Sequence, residues 1–232
     1  MKYLIMSDYH GRCSSLEDVI KSESPDKIIS LGDYQTSECI NKYYQLVSKY
    51  NINSIDVFGN HDYVIYEGNN IYSKTFKQFG STIKELIDEY RFDKTAQKNL
   101  NHLIEESGMK KEFKINDMNV LCVHGGLDGA LYGFPHCPES LRPIWYRIRS
   151  INDYRKNFEK MKENYYHIMI RGHDHRRSFS YFRSDSVLSF SINEDRSYNI
   201  NQGKMRIINP GDFFSGKYAI LEDENLSFKS YI

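Results

Sequence analysis

The chain has 232 residues, 40% of them hydrophobic, and its 31 Lys and Arg balance its 31 Asp and Glu. That length and composition support one sizeable core and exclude a disordered, collagenous or disulfide-stapled chain. The zero formal net charge removes the broad basic footprint of a protein built to coat nucleic acid.

In chain order, apolar β-branched runs alternate with helical patterns, the signature of an α/β fold. The first predicted strand, KYLIM at 2–6, lies in an opening too short for a signal-peptide core. Further strands are predicted at 27–31 (KIISL), 54–58 (SIDVF), 119–123 (NVLCV) and 167–170 (HIMI). Helical segments at 14–22 and 37–50 separate the first three strands and open on Ser or Thr suited to an N-cap. Strands joined by such crossovers are expected to lie parallel. Residues 63–111 read as an insertion of two amphipathic helices, with apolar spacing at Phe76, Phe79, Ile83, Leu86, Ile87 and Tyr90, then at Leu100, Leu103 and Ile104. They serve either as a lid or as packing. FKINDMNVLCV predicts a hairpin turning at Asn116-Asp117. Residues 127–165 form a second excursion, expected to cap a site or select its substrate, and the chain beyond 175 is strand-like and turn-rich. No repeat or linker interrupts it, so one domain over 1–232 is expected. Cys13, Cys39, Cys122 and Cys137 show no C-x-x-C spacing, which predicts free thiols in a reducing cytoplasm. No apolar run approaches the length of a membrane span, so a cytoplasmic protein without a membrane partner is expected.

A polar motif follows each strand: SDYHG after 2–6, GDY after 27–31, GNHD after 54–58, HGG after 119–123 and RGHDH after 167–170. Ligands of open α/β sheets bind outside the carboxyl ends of the strands, so five such motifs converge on one locus. Taken singly, each is a turn or a solvated strand end; the joint recurrence is the signal. Asp8, His10, Asp33, Asn60, His124, His173 and His175 offer oxygen and imidazole without thiolate, a donor set suited to Mn, Fe or Zn. Seven donors exceed what one such ion takes, whereas two ions sharing a carboxylate would use them all. Two divalent ions against two carboxylates leave a first shell of about +2. That surplus attracts an anionic substrate and lowers the pKa of a bridging water toward ~7.

With these motifs in order, Asp8/His10, Gly32/Asp33, Gly59–Asp62, His124 and Gly172–His175, the chain resembles the calcineurin-like metallophosphoesterase superfamily, in particular its small bacterial phosphodiesterase-like branch. RIINPGDFFSGKYAILE at 206–222 is similar to the N-P-G segment of that branch. The resemblance implies a four-layer α-β-β-α sandwich and a dinuclear, metal-dependent hydrolase of phosphate esters, with two divalent ions, manganese first. It implies that Asp8, His10, Asp33 and His175 hold one ion, that Asp33, Asn60, His124 and His173 hold the other, and that Asp33 bridges them. A metal-bridging hydroxide would attack phosphorus, with His61 as general acid to the leaving group. Asp62 can accept a hydrogen bond from the His61 imidazole and raise its pKa.

Two departures limit what carries over. The second motif, GDYQTSE, lacks the arginine with which the superfamily's protein Ser/Thr phosphatases clamp phosphate, and the third ends in Asp62 rather than Glu. Protein-phosphatase specificity therefore does not transfer. Arg142, Arg147, Arg149, Arg155 and Lys156 cluster around Trp145 and Tyr146 and suit either a second phosphate or nucleobase or, the favoured reading, a solvated basic helix face with a buried tryptophan. Arg12, Arg147, Arg149 and Arg171 are the candidate substrate contacts. A small phosphate ester is the expected partner. A nuclease, supported only by RRSFSYFR at 176–183, or a protein Ser/Thr phosphatase is the alternative, and a metal-free scaffold is disfavoured by the intact ligand set. Oligomeric state has no signature in the sequence.

Overall fold

The computed structural model describes residues 1–68, 81–131, 137–184, 186–201 and 203–231. The first half runs β1 (Lys2–Met6), α1 (Leu16–Glu23), β2 (Lys27–Ser30), α2 (Ser37–Lys49), β3 (Asn53–Asp56), α3 (Asn60–Glu67), α4 (Ser81–Phe92) and α5 (Lys94–Asn101), which passes into a π-helical turn at His102–Ser107. Then come β4 (Lys110–Ile115), β5 (Met118–Val123), the short α6 (Arg142–Trp145), α7 (Ile151–Glu163) and β6 (Ile168–Arg171). The rest is strand: β7 (Ser178–Arg183), β8 (Ser186–Ser191), β9 (Arg196–Asn199), β10 (Met205–Asn209), β11 (Lys217–Glu222) and β12 (Asn225–Ser230).

Among the described residues the strands form two six-stranded sheets, ordered β3-β2-β1-β11-β12-β9 and β4-β5-β6-β10-β7-β8. As the β-α-β-α-β pattern requires, β1, β2 and β3 are parallel, with Leu4 opposite Ile28 and Ile28 opposite Ser54. β5, β6 and β10 are parallel in the other sheet. The period-two alternation of strand side chains sorts each strand into two cores. Tyr3, Ile5, Ile29 and Leu31 meet Val120, Cys122, Ile168 and Ile170 in a core between the sheets. Leu4, Met6 and Ile28 face outward onto α1, α2 and the inserted helices. Leu121, Val123 and Met169 face the other way onto Tyr154, Phe158 and Met161 of α7. The layers are therefore helix, sheet, sheet, helix, and the four-layer sandwich holds.

The helices begin where side chains can take their free N–H groups. Thr36 accepts from Cys39 N–H at the start of α2, and Ser150 and Asp153 form a reciprocal capping box on α7. Residues 81–107 pack as a layer rather than a lid: Leu86, Tyr90, Ala96, Leu100 and Leu103 join the outer core, and Ser37 donates to Glu89. Phe76 and Phe79 lie outside the described residues. Of the 127–165 excursion, α7 belongs to the sandwich itself, and residues 132–136 lie outside the described residues. β2 and β3 end at Ser30 and Asp56, short of the predicted 31 and 58, as the chain turns into the strand-end loops. The hairpin turns at Asn116-Asp117 as predicted, with Asn116 at φ +52°. All four cysteines are free and buried. No helix among the described residues is long and apolar enough to cross a membrane.

Candidate metal centre

The five predicted motifs occupy the loops after β1, β2, β3, β5 and β6, and they meet. Asp8, His10 and His175 bring ligand atoms within 4.8 Å of one another, as do Asp33, His124 and His173, and as do His10, Asp33 and His61. Asp33 and His10 each belong to two of these groups. Asp33 Oδ2 lies 3.2 Å from His124 Nε2 and 3.8 Å from His10 Nε2, while His175 Nε2 lies 3.2 Å from Asp8 Oδ1.

The backbone of these loops is forced. Asp8, His10, Asp33, His173 and His175 all have positive φ, between 45° and 68°. This left-handed conformation costs a residue with a Cβ about 1 kcal/mol or more. Five of the seven candidate ligands are thus held by their surroundings in a conformation they would not choose. Close approach fixes two glycines beside them. A Cβ on Gly59 would lie 2.1 Å from Asp33 Oδ1, and one on Gly172 would lie 1.8 Å from Ser7 Oγ.

Neighbouring groups orient the ligands. His124 Nδ1 donates to the Leu31 carbonyl at 2.5 Å, which turns Nε2 toward Asp33 and Asp8. His10 Nδ1 faces Gln35 Oε1 at 3.0 Å, which leaves Nε2 toward the site. His173 N–H donates to Asp8 Oδ2 at 3.0 Å, and His61 N–H, in the first turn of α3, donates to Asp33 Oδ1 at 2.9 Å. Burial opposes the charged forms of Asp8 and Asp33, but histidines reverse its effect: His175 and His124 hold Asp8 below the usual carboxylate range, and His124 and His61 hold Asp33 well below it. Burial, aided by His124 and Arg147, pushes His173 well below the usual histidine range and keeps its imidazole neutral.

Donor chemistry tests whether metal fits here. Asp8 Oδ1, Asn60 Oδ1, His124 Nε2 and His173 Nε2 are all buried without a hydrogen-bond partner. A buried polar atom left unpaired costs about 1–3 kcal/mol. Four such atoms are among the seven expected ligands, and bound cations would satisfy them. The residues fit.

The Asp62 carboxylate is fully buried, and its oxygens accept from the backbone N–H groups of Asp33 at 2.7 Å, Tyr34 at 2.9 Å and Gly59 at 2.9 Å. It ties the second motif to the third, a task the sequence does not show. Half-buried His61 sits edge-on to His10, ring centroids 4.9 Å apart, and burial lowers its pKa.

The four arginines separate. Arg171 is 1% exposed and bonded to the Gly125 carbonyl, to Asp174 Oδ2 at 2.6 Å and to the Tyr146 carbonyl at 3.4 Å; it is built into the fold. Half-buried Arg147 donates to the His173 carbonyl at 2.9 Å, and its charge is felt by Asp33 and Asp8. Arg149 is exposed beside Asp174, and exposed Arg12 lies over the Phe214 ring, 5.7 Å from its centroid. Sequence reasoning missed Phe214, which stands edge-on to His10 and His175 at 5.6 and 5.7 Å. The N-P-G segment was its only signal: Asn209 donates to the Gly172 carbonyl, and the N–H groups of Phe213 and Phe214 donate to the Ser7 and Asp8 carbonyls.

Two stacked sheets with a His/Asp/Asn cage at their strand ends define a metal-dependent hydrolase architecture. The model of the calcineurin-like phosphoesterase superfamily domain matches residues 1–222, and the chain belongs to that family, which supports a metal-dependent phosphoester hydrolase in general terms. Among solved structures, a hypothetical protein from Pyrococcus horikoshii OT3 is similar over 99% of this chain and 87% of its own, at TM-score 0.65 and 13% identity. A conserved uncharacterized protein from Streptococcus pneumoniae TIGR4, described as a predicted phosphoesterase, aligns over 99% and 88% at TM-score 0.47 and 14% identity. Vps29 from Chaetomium thermophilum aligns over 96% and 80% at TM-score 0.45 and 7% identity. A search of curated protein sequences gives no match.

Proposed function

We propose that this chain is a dinuclear hydrolase of small phosphate esters. The observation that carries the reading is the set of four buried, partnerless candidate ligand atoms at the strand ends. Asp8, His10, Asp33 and His175 would hold one divalent ion, and Asp33, Asn60, His124 and His173 the other. The mixed oxygen and imidazole donors suit manganese, with iron or zinc as alternatives. Bound there, the ions would supply Lewis acidity toward a phosphate oxygen and an activated water near neutral pH.

The chain's own residues do the rest. Asp62 fixes the spacing of the Asp33 and Asn60 loops through three backbone donors. Arg147, braced by the His173 carbonyl, presents positive charge beside Asp8 and Asp33 for a non-bridging phosphate oxygen. His61 is the proton donor to the leaving oxygen. Burial lowers its pKa in the free protein, so a bound phosphate anion must raise it again before it can donate. Substrate binding thereby generates the acid form.

Metal analysis together with a substrate panel tests the reading. Manganese-loaded protein should hold two ions per chain and hydrolyse phosphomonoesters or diesters, with RNA and phosphopeptides as comparison substrates. Full activity with no more than one ion bound, or no hydrolysis in the fully loaded protein, overturns it.

A further inference from the structure

Beside Asp174 of the GHDH loop lies a cavity of about 240 Å³. A water molecule takes about 30 Å³ of liquid, so the cavity has room for more than a phosphate group. Its wall includes Arg149, Arg176, Ser178, Ser189, Ser191 and Tyr154. Two features of that wall call for explanation.

The first is charge. Asp174 is surrounded by three guanidiniums: Arg171 at 2.6 Å, Arg147 at 3.7 Å and Arg149 at 3.8 Å. Of these, Arg149 and Arg171 line the cavity with Asp174, and exposed Arg176 adds a further cation to its wall. One carboxylate against four cations leaves a local positive surplus in a chain whose formal charge is zero. The second is a ladder of hydroxyls. In the β7–β8 hairpin Ser178 pairs with Ser191 and Ser180 with Ser189, so all four serines share one face. Ser178 and Ser180 are buried, in positions where a strand facing a layer ordinarily carries apolar side chains. Ser180 donates to Ser189 at 2.7 Å and Ser178 accepts from Tyr154 at 3.2 Å, while Ser178, Ser189 and Ser191 line the cavity. Hydroxyls and guanidiniums on one wall suit an oxyanion, which accepts from both.

Arg147 links the two places. Its guanidinium donates to the carbonyl of the candidate ligand His173 and also faces the carboxylate of Asp174.

We propose that this cavity is a second anion subsite, which selects phosphate esters carrying a further phosphate group. The assignment of that group to the substrate rests on the phosphoesterase reading; the affinity of the cavity for an oxyanion does not. A phosphate seated here places the scissile ester across Arg147 at the ligand cage. The substrate class is then a bisphosphate or a polyphosphate-bearing compound, and simple monoesters are poor relatives of it.

Two arms test the proposal. In the first, manganese-loaded protein is assayed on α,ω-alkanediol bisphosphates and on alkyl monophosphates of matched length. The ratio of kcat/KM, bisphosphate over monophosphate, should exceed about tenfold at a preferred spacer, the scale of one charge-assisted contact, and should collapse in Arg176→Glu. In the second, chelator-treated protein is titrated with inorganic pyrophosphate by calorimetry. Binding should be lost in Arg176→Glu and kept in Arg196→Glu, which makes the same charge change elsewhere. Unaltered pyrophosphate binding in Arg176→Glu overturns the cavity assignment. Pyrophosphate binding that depends on Arg176 without any bisphosphate preference overturns the substrate role and leaves a site for free anions. If neither ester is hydrolysed, the phosphoesterase reading fails, and the calorimetry still decides the cavity.

Discussion

Replacing Asp62 with Asn preserves the shape of the side chain and changes what it can accept. Three backbone N–H groups converge on its two oxygens: Asp33 and Gly59 on Oδ2, and Tyr34 on Oδ1. An asparagine has one acceptor oxygen, and its amide must point at one of the three donors. That donor, buried and unpaired, costs about 1–3 kcal/mol. Burial and the neighbouring Asp33 lift the Asp62 pKa to about 7, so above that pH the remaining two bonds also lose their charge assistance, about 1 kcal/mol each. The sum is about 3–5 kcal/mol, a large part of the 5–15 kcal/mol typical of a whole domain. Urea denaturation of the metal-free protein measures it, and metal titration of the folded fraction should show weaker binding, because the Asp33 and Asn60 loops are no longer tied. If Asp62 instead served to tune His61, Asp62→Asn would shift the pH-rate profile and leave stability alone. A variant that unfolds within about 1 kcal/mol of wild type would refute the reasoning.

His61→Ala should slow hydrolysis of alkyl phosphates by roughly 10²–10⁴ and nitrophenyl phosphate much less, since a good leaving group needs little protonation; steady-state rates on both esters check this. Asp33→Asn should impair both metal positions and His10→Ala chiefly one, as read by metal analysis of the purified variants. Burial disfavours the charged form of His124, but Asp33 and Asp8 override it and lift the pKa to about 9. The metal-free fold should therefore lose stability as pH rises from about 6.5 through 9, and metal uptake at pH 7 should release about one proton per chain from this residue, measurable by calorimetry in buffers of different ionisation enthalpy. Gly172→Ala drives a Cβ to 1.8 Å from Ser7 Oγ and 2.7 Å from Asp8 Oδ2, so its melting temperature and metal content should both fall, by a stability loss of about 1–3 kcal/mol or more.

The sequence displays the ligand cage because each ligand lies within a few residues of a strand end, where an apolar run stops and polar residues begin. Periodicity likewise exposes the parallel β1-β2-β3 unit and the free cysteines. Roles that depend on distant partners stay hidden. Asp62 bonds across 28 and 29 positions to Tyr34 and Asp33, and only its place at the third position of α3, the acceptor half of a capping box, hinted at a backbone task. Arg171 looks like a solvent-facing charge beside a motif because the carbonyls that enclose it, those of Gly125 and Tyr146, arrive from far along the chain. α7 reads as part of an excursion since its apolar face finds the second sheet only in three dimensions. The serines of RRSFSYFR fall on one face of a hairpin whose register the sequence does not state.

The left-handed backbone at Asp8, His10, Asp33, His173 and His175 sets foldability against use. Glycine at any of these positions would relax the loop while removing a metal donor. A lineage released from the need for metal would gain by drifting at these five sites first, ahead of the apolar core, whose replacement costs stability at once. A functional descendant therefore has to be held in place by continuous selection at the very residues its folding would discard. Loss of catalysis in this fold should leave a recognisable scar: an intact sandwich with glycine or asparagine at the strand ends.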